Sequence, residues 1–301
     1  MNDEGCTPPS NQGGPWNLHA EQQSRATRIG RMGDEQIGAG EPRETTEAAA
    51  EYLMTIRYMH AEEQPVIAAR LAERLGVSPA TVSGMVTRLA REKLLTVDDQ
   101  TRQLDLTDAG QRAAERTFRR HALAEWLLTE VVGLGWAEAD EEAHHLQHAM
   151  SDRVTDKIDE LLGRPPTCPH GNPIPRDGHT PDRPAGIRLS AAGAGSEVTI
   201  LRVTEEAEED ARLLTFLQEH GIRPGSVFAI DEVADHLGTM RLHRTDDGGG
   251  GLGDGSAPDE PVTLGLVAAA KLRVLPGRAD PSLFHRVPDR ARIAASMAAA
   301  R

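Results

Sequence analysis

A helix, a tight turn, a second helix and a hairpin follow one another between residues 66 and 106, and this succession constrains the fold most. Apolar side chains recur at helical spacing in Val66–Leu75, and Gly76 follows as a residue that ends a helix. Ser78 is a good N-cap residue, and Pro79 suits the first position of the next helix. We therefore predict a helix-turn-helix whose second helix begins at this proline.

A change of period follows the second helix. Residues 94–97 form a strand-like run, residues 98–102 are a polar turn, and residues 103–106 alternate between polar and apolar side chains. A hairpin in this position is a wing, so the pattern favours a winged helix-turn-helix over a helical hairpin that serves only for packing.

The second helix and the wing carry side chains that are suited to DNA. Small residues at the start of such a helix can approach base edges and phosphates, and arginines further along can bind phosphate. The net charge of the chain is −14, but basic residues outnumber acidic ones between residues 64 and 120, so the acidity lies elsewhere. The candidate DNA-binding residues are Ser78, Ala80, Thr81, Ser83, Arg88, Arg91 and Arg102.

Composition argues against several other classes of protein. No apolar run approaches the length of a membrane span, and the basic start and apolar stretch of a secretory signal are absent. Cys6 and Cys168 are the only cysteines, which is too few for a disulfide framework. We therefore expect a cytoplasmic protein without a membrane partner.

The helix predicted from Thr107 or Asp108 to about Val132 carries His121 and Glu125 four residues apart. These side chains share one face of the helix and can bind one cation. A pair with this spacing is more often a surface contact, so spacing alone leaves both interpretations open.

The next predicted helix, residues 136–150, carries a second group of possible metal ligands. Asp140, His144 and His148 recur every four residues, and Gln147 borders the same face. Two imidazoles at this spacing suit a divalent transition metal, although a solvated polar face is the alternative. The His-Glu-x-x-His frame of zinc hydrolases is absent, which disfavours a metalloenzyme.

The rest of the chain reads as a short helix, a proline-rich stretch and a small unit. The prolines of residues 164–186 indicate a linker or an irregular wrapping loop. In the small unit, strand-like runs and one helix are predicted at residues 198–203, 210–220, 226–230, 240–243 and 271–274.

Six short motifs stand out, namely Glu51–Ile56, Ser78–Ser83, Arg119–Glu125, Glu142–His144, His148–Asp152 and Gly171–Pro175. Taken together, they resemble the diphtheria toxin repressor and manganese transport regulator family of metal-dependent repressors. The resemblance extends from about Thr45 to Pro175 and continues more weakly to about Leu275.

The resemblance implies a mainly α fold with an N-terminal winged helix-turn-helix, a helical metal-binding dimerisation domain and a small C-terminal SH3-like β domain. With the composition, it predicts a disordered arm 1–43, a winged-helix domain 44–108, a metal-binding and dimerisation domain 109–163, a Pro-rich linker 164–186, an SH3-like domain 187–276 with a disordered Gly-rich insertion 245–261, and a tail 277–301.

The resemblance also implies a primary metal site. Its ligands fall on Glu51, His144, Gln147 and His148. Iron-type relatives have Met and Cys at the first two of these positions, and manganese-type relatives have Asp and Glu. The donors here are oxygen and nitrogen only, which favours manganese(II) more than a thiolate site would.

An ancillary site is implied at His121, Glu125 and Asp140. Its ligands from the small domain would fall near Asp210 and Leu213, but Leu213 cannot coordinate a metal, so Glu209 or Asp210 is expected to serve instead. Asn172 matches a residue that is associated with an anion near this site.

The function implied is a repressor that binds palindromic operator DNA as a homodimer when loaded with metal, and that controls metal-homeostasis genes. Manganese(II) is the expected effector, iron(II) is the alternative, and cobalt(II), nickel(II) or zinc(II) are expected to bind in vitro. The alternative function is a winged-helix regulator that responds to an organic ligand and has no functional metal site. No catalytic residue is expected.

Overall fold

The computed structural model describes residues 45–176, 178–245 and 260–289. The chain divides into Met1–Glu44 and Thr45–Arg301, and every described residue belongs to the second unit. Three predicted segments lie wholly or partly outside the described residues, namely the arm 1–43, the insertion 245–261 and the tail 277–301.

The first domain is the predicted winged helix-turn-helix. Its elements are α1 (Glu47–Ala61), α2 (Ala68–Leu75), α3 (Pro79–Arg91), β1 (Leu95–Val97) and β2 (Leu104–Leu106). Thr46 and Ser78 begin α1 and α3, because each side chain accepts a hydrogen bond from a backbone N–H in the first turn. Gly76 ends α2 in the left-handed conformation, at φ 63°.

The apolar faces of these helices and of the hairpin meet in one core. It includes Leu53, Ile56, Leu71, Val82 and Leu89, all fully buried. The two strands pair antiparallel. The apolar face of α3 is therefore packed against this core, which leaves its opposite face available for a partner.

The second domain is helical and consists of α4 (Asp108–Leu127), α5 (Trp136–Ala149) and α6 (Asp152–Leu161). The last turn before Gly133 is a π-helix, Leu128–Val132, within the segment that the sequence predicts to be one continuous helix. The α1 helix packs on α4, where Tyr58 meets Phe118 edge-on at 5.9 Å between ring centroids. The first helix of the winged-helix domain is thus also a neighbour of the helical domain.

The proline-rich residues 164–186 include a wrapping loop rather than only a linker. Thr167, Cys168 and Ile174 are buried. Trp126 Nε1 donates a hydrogen bond to the carbonyl oxygen of Thr167 over 2.6 Å. The loop therefore forms part of the core of the helical domain, because its apolar side chains are buried there.

Gly171 brings this loop against the small domain. Its φ is +94°, and a Cβ at this position would lie 2.5 Å from the carbonyl oxygen of Leu201. Only glycine tolerates both the left-handed backbone and so close an approach. The residues on either side of it, His170 and Asn172, are thereby placed at the boundary between the domains.

The third domain contains six strands and three short helices, namely β3 (Ile187–Arg188), β4 (Glu197–Val203), α7 (Glu205–Glu208), α8 (Ala211–Glu219), β5 (Val227–Ala234), β6 (Thr239–Arg244), β7 (Val262–Gly265), α9 (Leu266–Ala269) and β8 (Leu272–Pro276). The strands form one antiparallel sheet in the order β3-β8-β4-β5-β6-β7. The sequence does not predict β3 or β7, since runs of two and four residues show too little alternation. The predicted mainly α fold with a small C-terminal β domain is confirmed.

Residues 277–289 return to the helical domain. His285 Nε2 lies 3.0 Å from the carbonyl oxygen of Leu162, and its ring meets that of Trp126 edge-on at 5.7 Å. Val287 packs against the core around α4. The described part of the predicted loose tail is therefore packed, because its aromatic and apolar side chains contact the helical domain. Among the described helices, none is long and apolar enough to cross a membrane.

Candidate metal centre and DNA-binding surface

The start of α3 presents small exposed side chains. Ser78, Ala80, Thr81 and Ser83 are all exposed. The hydroxyl oxygen of Ser78 accepts a hydrogen bond from the backbone N–H of Thr81 over 3.1 Å, so this residue also stabilises the helix. With no bulky group in the way, this end of α3 can approach the base edges of a DNA groove.

The three candidate phosphate-binding arginines differ in their surroundings. Arg88 Nε donates to Glu92 Oε1 over 2.9 Å, so Arg88 must exchange this contact for a phosphate. Arg91 is exposed at the end of α3, and Arg102 is exposed in the wing. Neither forms an ion pair with a carboxylate in the described part of the chain. Arg91 and Arg102 can therefore bind phosphates without first breaking an ion pair, which Arg88 must do.

Glu51 of α1 meets α5 at Gln147 and His148. The amide nitrogen of Gln147 donates to Glu51 Oε1 over 2.8 Å, and His148 Nε2 lies 3.1 Å from the same oxygen. We call Glu51, Gln147 and His148 the interdomain cluster. Its members come from two domains and meet because α1 and α5 both pack on α4.

His144, which the resemblance groups with these residues, takes a different position. Its Nδ1 lies 2.9 Å from the carbonyl oxygen of Asp140, and its ring meets that of His121 edge-on at 4.6 Å between centroids. His121, Asp140 and His144 each offer a ligand atom within 4.8 Å of the others. The side chain of His144 is 44% exposed, so it is the most accessible of these candidate ligands.

The carboxyl group of Glu51 is electrostatically prepared for a cation. Burial by itself raises the pKa of Glu51, but the hydrogen bond from His148 and the charges of His144, His148 and His121 outweigh it. The net effect lowers the pKa below its ordinary value. Glu51 is therefore an ionised oxygen donor at neutral pH.

A second group of candidate ligands lies deeper, where the helical domain and its wrapping loop meet the β domain. His170 Nδ1 lies 3.0 Å from Glu125 Oε1 and 3.3 Å from Glu208 Oε1. His121 Nε2 lies 3.3 Å from Asp140 Oδ1 and 3.7 Å from Glu125 Oε1. We call these five residues the buried cluster. All of them except Asp140 are at most 6% exposed.

Charges in the buried cluster shift one another strongly. Burial lowers the pKa of His121 and of His170, but the neighbouring carboxylates outweigh it, raising the pKa of His121 well above its usual range and that of His170 to about 9. Burial likewise opposes ionisation of Glu125, yet His170 and His121 hold its pKa at about 2. The pKa of Glu208 is raised well above its usual range by burial. Positive charge is thus strongly favoured here.

These two clusters fit a divalent metal. The carbonyl oxygen of the Gln147 side chain, Nδ1 of His121, both carboxylate oxygens of Glu125 and both ring nitrogens of His170 are buried and make no hydrogen bond of good geometry within the described residues. Such atoms cost free energy unless they are satisfied. Carboxylate, amide and imidazole groups are ligands of divalent transition metals, so a bound cation would satisfy them.

Two residues of the buried cluster are missed by sequence reasoning. His170 lies in the proline-rich stretch, which reads as a loop, and Glu208 lies in the acidic run Glu205–Glu209. A histidine beside Cys168 and Pro169 is a signal that could have drawn attention. No local signal singles out Glu208 among its neighbours, because its role depends on contact with another domain.

The small domain contributes a different acidic side chain to the buried cluster from the one that the sequence predicts as a ligand. Asp210, predicted to serve, is exposed and caps α8, where its Oδ1 accepts hydrogen bonds from the backbone N–H groups of Arg212 and Leu213. Glu209 pairs with Arg74 instead. The carboxylate that this domain places in the buried cluster is Glu208.

Asn172, predicted to bind an anion, is occupied by a carboxylate of the chain itself. Its Nδ2 donates to Glu208 Oε1 over 2.7 Å and to the carbonyl oxygen of Val203 over 2.9 Å. Arg202 Nη1 in turn donates to Asn172 Oδ1 over 2.9 Å. An internal carboxyl group therefore stands where an external anion was expected.

Cys168 lies beside the buried cluster and is itself buried. Its sulfur, a Glu125 oxygen and a His170 nitrogen lie within 4.8 Å of one another. Burial raises the pKa of the thiol well above its usual range, and the charges of Glu208 and Glu125 raise it further. The candidate donors of the buried cluster itself are carboxylate oxygens and imidazole nitrogens.

Comparison with known proteins agrees with this arrangement. The N-terminal DNA-binding domain of iron-dependent repressors matches residues 44–101, and their metal-binding and dimerisation domain matches residues 107–176. The iron-dependent repressor IdeR of Mycobacterium leprae (strain TN) is 38% identical over 189 residues, which cover 60% of this chain and 82% of that protein. The diphtheria toxin repressor of Corynebacterium jeikeium (strain K411) is 33% identical over 215 residues, covering 65% and 89% of the two chains.

Similar solved structures also include metal-dependent repressors. A manganese-dependent transcriptional repressor in complex with manganese aligns with a TM-score of 0.64 at 33% identity, covering 76% of this chain and 100% of that one. The IdeR of T. acidophilum aligns with a TM-score of 0.60 at 26% identity, covering 78% and 100%.

A winged helix joined to a helical domain through side chains that are suited to a metal, together with these relatives, defines the class of metal-dependent transcriptional repressors. Within that class, the chain belongs to the iron-dependent repressor family, which includes the diphtheria toxin repressors.

Proposed function

We propose that the protein is a manganese(II)-responsive repressor that binds operator DNA as a homodimer and controls metal-homeostasis genes in the cytoplasm. The observation that carries this proposal is the convergence of Glu51 from α1 with Gln147 and His148 from α5. It joins the DNA-binding domain to the helical domain through side chains that are suited to a metal.

The residues of the interdomain cluster would act by fixing α1 against α5. A bound divalent cation would be coordinated by donor atoms from both domains. Glu51 provides an ionised oxygen, while His148 and the amide of Gln147 provide donors from the helical domain, and His144 is the exposed side chain that completes the proposed primary site. A ligand shifts such an equilibrium only through its preference for one arrangement, so the DNA-binding form must be one that keeps Glu51 against α5.

The buried cluster is the proposed ancillary site. His121, Glu125 and Asp140 belong to the helical domain, His170 belongs to the wrapping loop, and Glu208 comes from the β domain. This arrangement supports a role for the β domain in metal response, although the ligand position predicted near Leu213 cannot coordinate. We also propose the domain boundaries that the sequence predicts, near residues 108, 163 and 187.

A site with only oxygen and nitrogen donors favours manganese(II) more than a thiolate site would. Iron(II) is the alternative effector, because imidazole suits it as well. Sites of this kind generally bind cobalt(II), nickel(II) and zinc(II) more tightly than manganese(II). We therefore expect these metals to bind tightly in vitro while activating less selectively.

The proposed partner is double-stranded DNA with two half-sites. In a symmetric dimer, two copies of α3 would enter successive major grooves about 34 Å apart, with Ser78, Ala80, Thr81 and Ser83 near base edges and the arginines near phosphates. Matching of residues 107–176 to a metal-binding and dimerisation domain supports this assembly.

The test is a DNA-binding titration with protein freed of metal by a chelator. A high-affinity duplex is first selected from a random library with manganese-loaded protein, and binding is then measured by fluorescence anisotropy in buffered manganese(II) or, without oxygen, iron(II). We expect chelator to abolish specific binding and manganese(II) to restore it. Binding that ignores chelator would instead support the organic-ligand regulator.

The choice of metal has a separate test. Changing Glu51→Met and His144→Cys should move the preference toward iron(II), because thioether and thiolate donors suit softer metals. Activation of the unchanged protein by iron(II) alone, at free concentrations where manganese(II) has no effect, would reverse the assignment. An unchanged preference in the double variant would place the selecting contacts outside these residues.

A further inference from the structure

The acidic run Glu205–Glu209 of the β domain sends its carboxylates to different domains. Glu208 belongs to the buried cluster, at 3.3 Å from His170 Nδ1. Glu209 Oε1 lies 2.8 Å from Arg74 Nη2 and 2.9 Å from Arg74 Nε. Since Arg74 belongs to α2, one short segment touches both the proposed ancillary site and the helix-turn-helix.

Two further carboxylates of this segment also contact the winged-helix domain. Glu206 Oε2 accepts a hydrogen bond from Gln64 Nε2 over 3.1 Å, and Glu205 Oε1 lies 3.9 Å from Arg57 Nη1. Gln64 follows α1, and Arg57 lies within it. We call Glu205–Glu209 the acidic turn.

A chain of hydrogen bonds runs in parallel with the acidic turn. Glu208 accepts from Asn172, and Asn172 accepts from Arg202. Arg202 Nη1 also donates to Glu62 Oε1 over 2.6 Å, and Arg273 Nη2 donates to Glu62 Oε2 over 3.1 Å. Glu62 directly follows α1, the helix that carries the proposed metal ligand Glu51.

The burial of these groups makes the connection stiff. The side chains of Glu62, Arg202 and Arg273 are 5%, 16% and 17% exposed, whereas Arg74 is 10% exposed and its partner Glu209 is 47% exposed. Solvent screens buried charge pairs less than exposed ones, so the pairs of Glu62 hold the two domains more firmly than the pair of Glu209 does. The β domain and the winged-helix domain therefore tend to move together rather than independently.

We propose that the acidic turn is a second coupling element between metal and DNA binding, in addition to Glu51. When a metal binds in the buried cluster, the effect on Glu208 passes through the acidic turn to α2 and to the end of α1. This inference rests on the proposed function, because it concerns how the ancillary site of that same repressor acts. It assigns Glu209 and Arg74 as positioning residues that touch neither metal nor DNA.

The experiment removes the route through Glu51 and then tests the route through the acidic turn. Every variant carries Glu51→Gln. Four proteins are compared, namely this background alone, the background with Glu209→Arg, the background with Glu209→Arg and Arg74→Glu together, and a control with Glu219→Arg. Glu219 is an exposed glutamate at the end of α8, and it forms no ion pair with the described residues. The readout is hydrogen–deuterium exchange of backbone amides with and without manganese(II).

In the background, manganese(II) should slow exchange in α2 by about fivefold, a typical coupling factor. It should also slow exchange around Glu125 and His170. Glu209→Arg should abolish the protection of α2 while leaving that of the buried cluster, because the metal still binds there. The charge-swapped pair should regain protection of α2, and Glu219→Arg should behave like the background.

Protection of α2 that survives Glu209→Arg would overturn the inference, as would a background protein that is protected at the buried cluster and not at α2. Absence of manganese-dependent protection at the buried cluster would overturn it as well. These failures are separate from failure of the proposed function, which appears as metal-independent DNA binding by the unchanged protein.

Discussion

His148 Nε2 lies 3.1 Å from Glu51 Oε1, although 97 residues separate the two in the chain. The contact joins the first helix of the DNA-binding domain to the second helix of the metal-binding domain. Any change that strengthens or weakens this junction should therefore change how the two domains are held, and through them the presentation of α3 to DNA.

Glu51→Ala should uncouple DNA binding from metal. The variant loses the one carboxylate that α1 places in the interdomain cluster. Activation should therefore require at least about tenfold more manganese(II), because damage to a metal site typically lowers its affinity by that factor. Operator anisotropy against buffered manganese(II) measures this. Glu47→Ala, an exposed change in the first turn of the same helix, is the matched control and should leave the titration unchanged.

Arg91→Ala should weaken DNA binding to the same extent for different sequences. Because Arg91 is exposed at the end of α3, its loss should lower the slope of log affinity against log salt by about 0.9 for one phosphate contact. The measurement is a salt titration of metal-loaded protein on the selected duplex and on a scrambled one. Arg212→Ala, exposed in the β domain, serves as control. An unchanged slope would show that Arg91 does not touch the DNA backbone.

Glu208→Gln should reduce metal binding, whereas Asp210→Ala should reduce stability. Glu208 lies in the buried cluster, so its amide variant should bind fewer manganese(II) ions per chain, as counted by electron paramagnetic resonance, while the protein stays folded. Asp210 caps α8, so its loss should cost about 1 kcal/mol of stability and leave metal stoichiometry alone. Reduced stoichiometry in Asp210→Ala alone would restore the ligand predicted from the sequence.

Gly171→Ala should destabilise the protein and disturb the buried cluster. The left-handed backbone costs an alanine about 1–3 kcal/mol, and the added Cβ would meet the carbonyl oxygen of Leu201. Thermal unfolding monitors the first effect and metal stoichiometry the second. In Gly193→Ala, nothing lies within 4 Å of the added Cβ, so the melting temperature should barely move. Equal behaviour of the two variants would show that the close approach at Gly171 is unimportant.

His285 should make stability fall in mildly acidic solution. Burial lowers the pKa of His285 below its ordinary value of 6.5, and the charge of Arg176 adds to this. As pH falls below 6.5, the unfolded chain gains a proton that the folded chain resists, so the free energy of unfolding decreases down to the folded pKa. His285→Gln removes this titration, and the difference in stability between the two proteins should change between pH 7.5 and 5.5. The same change in the exposed His236→Gln variant would contradict the assignment.

The local elements of the fold follow from the order of residues. Thr46, Ser78 and Thr107 cap helices because each side chain reaches a backbone N–H in the next turn. Gly76 ends α2 because it takes a left-handed conformation at no steric cost. These effects act within a few residues, as does the spacing of His121 and Glu125, so the winged helix and the helical faces with candidate ligands could be predicted.

What the sequence by itself determined was therefore the kind of domain and the helical faces with donor side chains. The tertiary structure alone decided that Glu208, rather than Asp210, joins His170 and Glu125, and that Asn172 holds an internal carboxylate instead of an external anion. The run Glu205–Glu209 is almost uniform in chemistry, so nothing local distinguishes its members. Their roles arise from the packing of the β domain against two others, and such contacts depend on the position of distant segments in space.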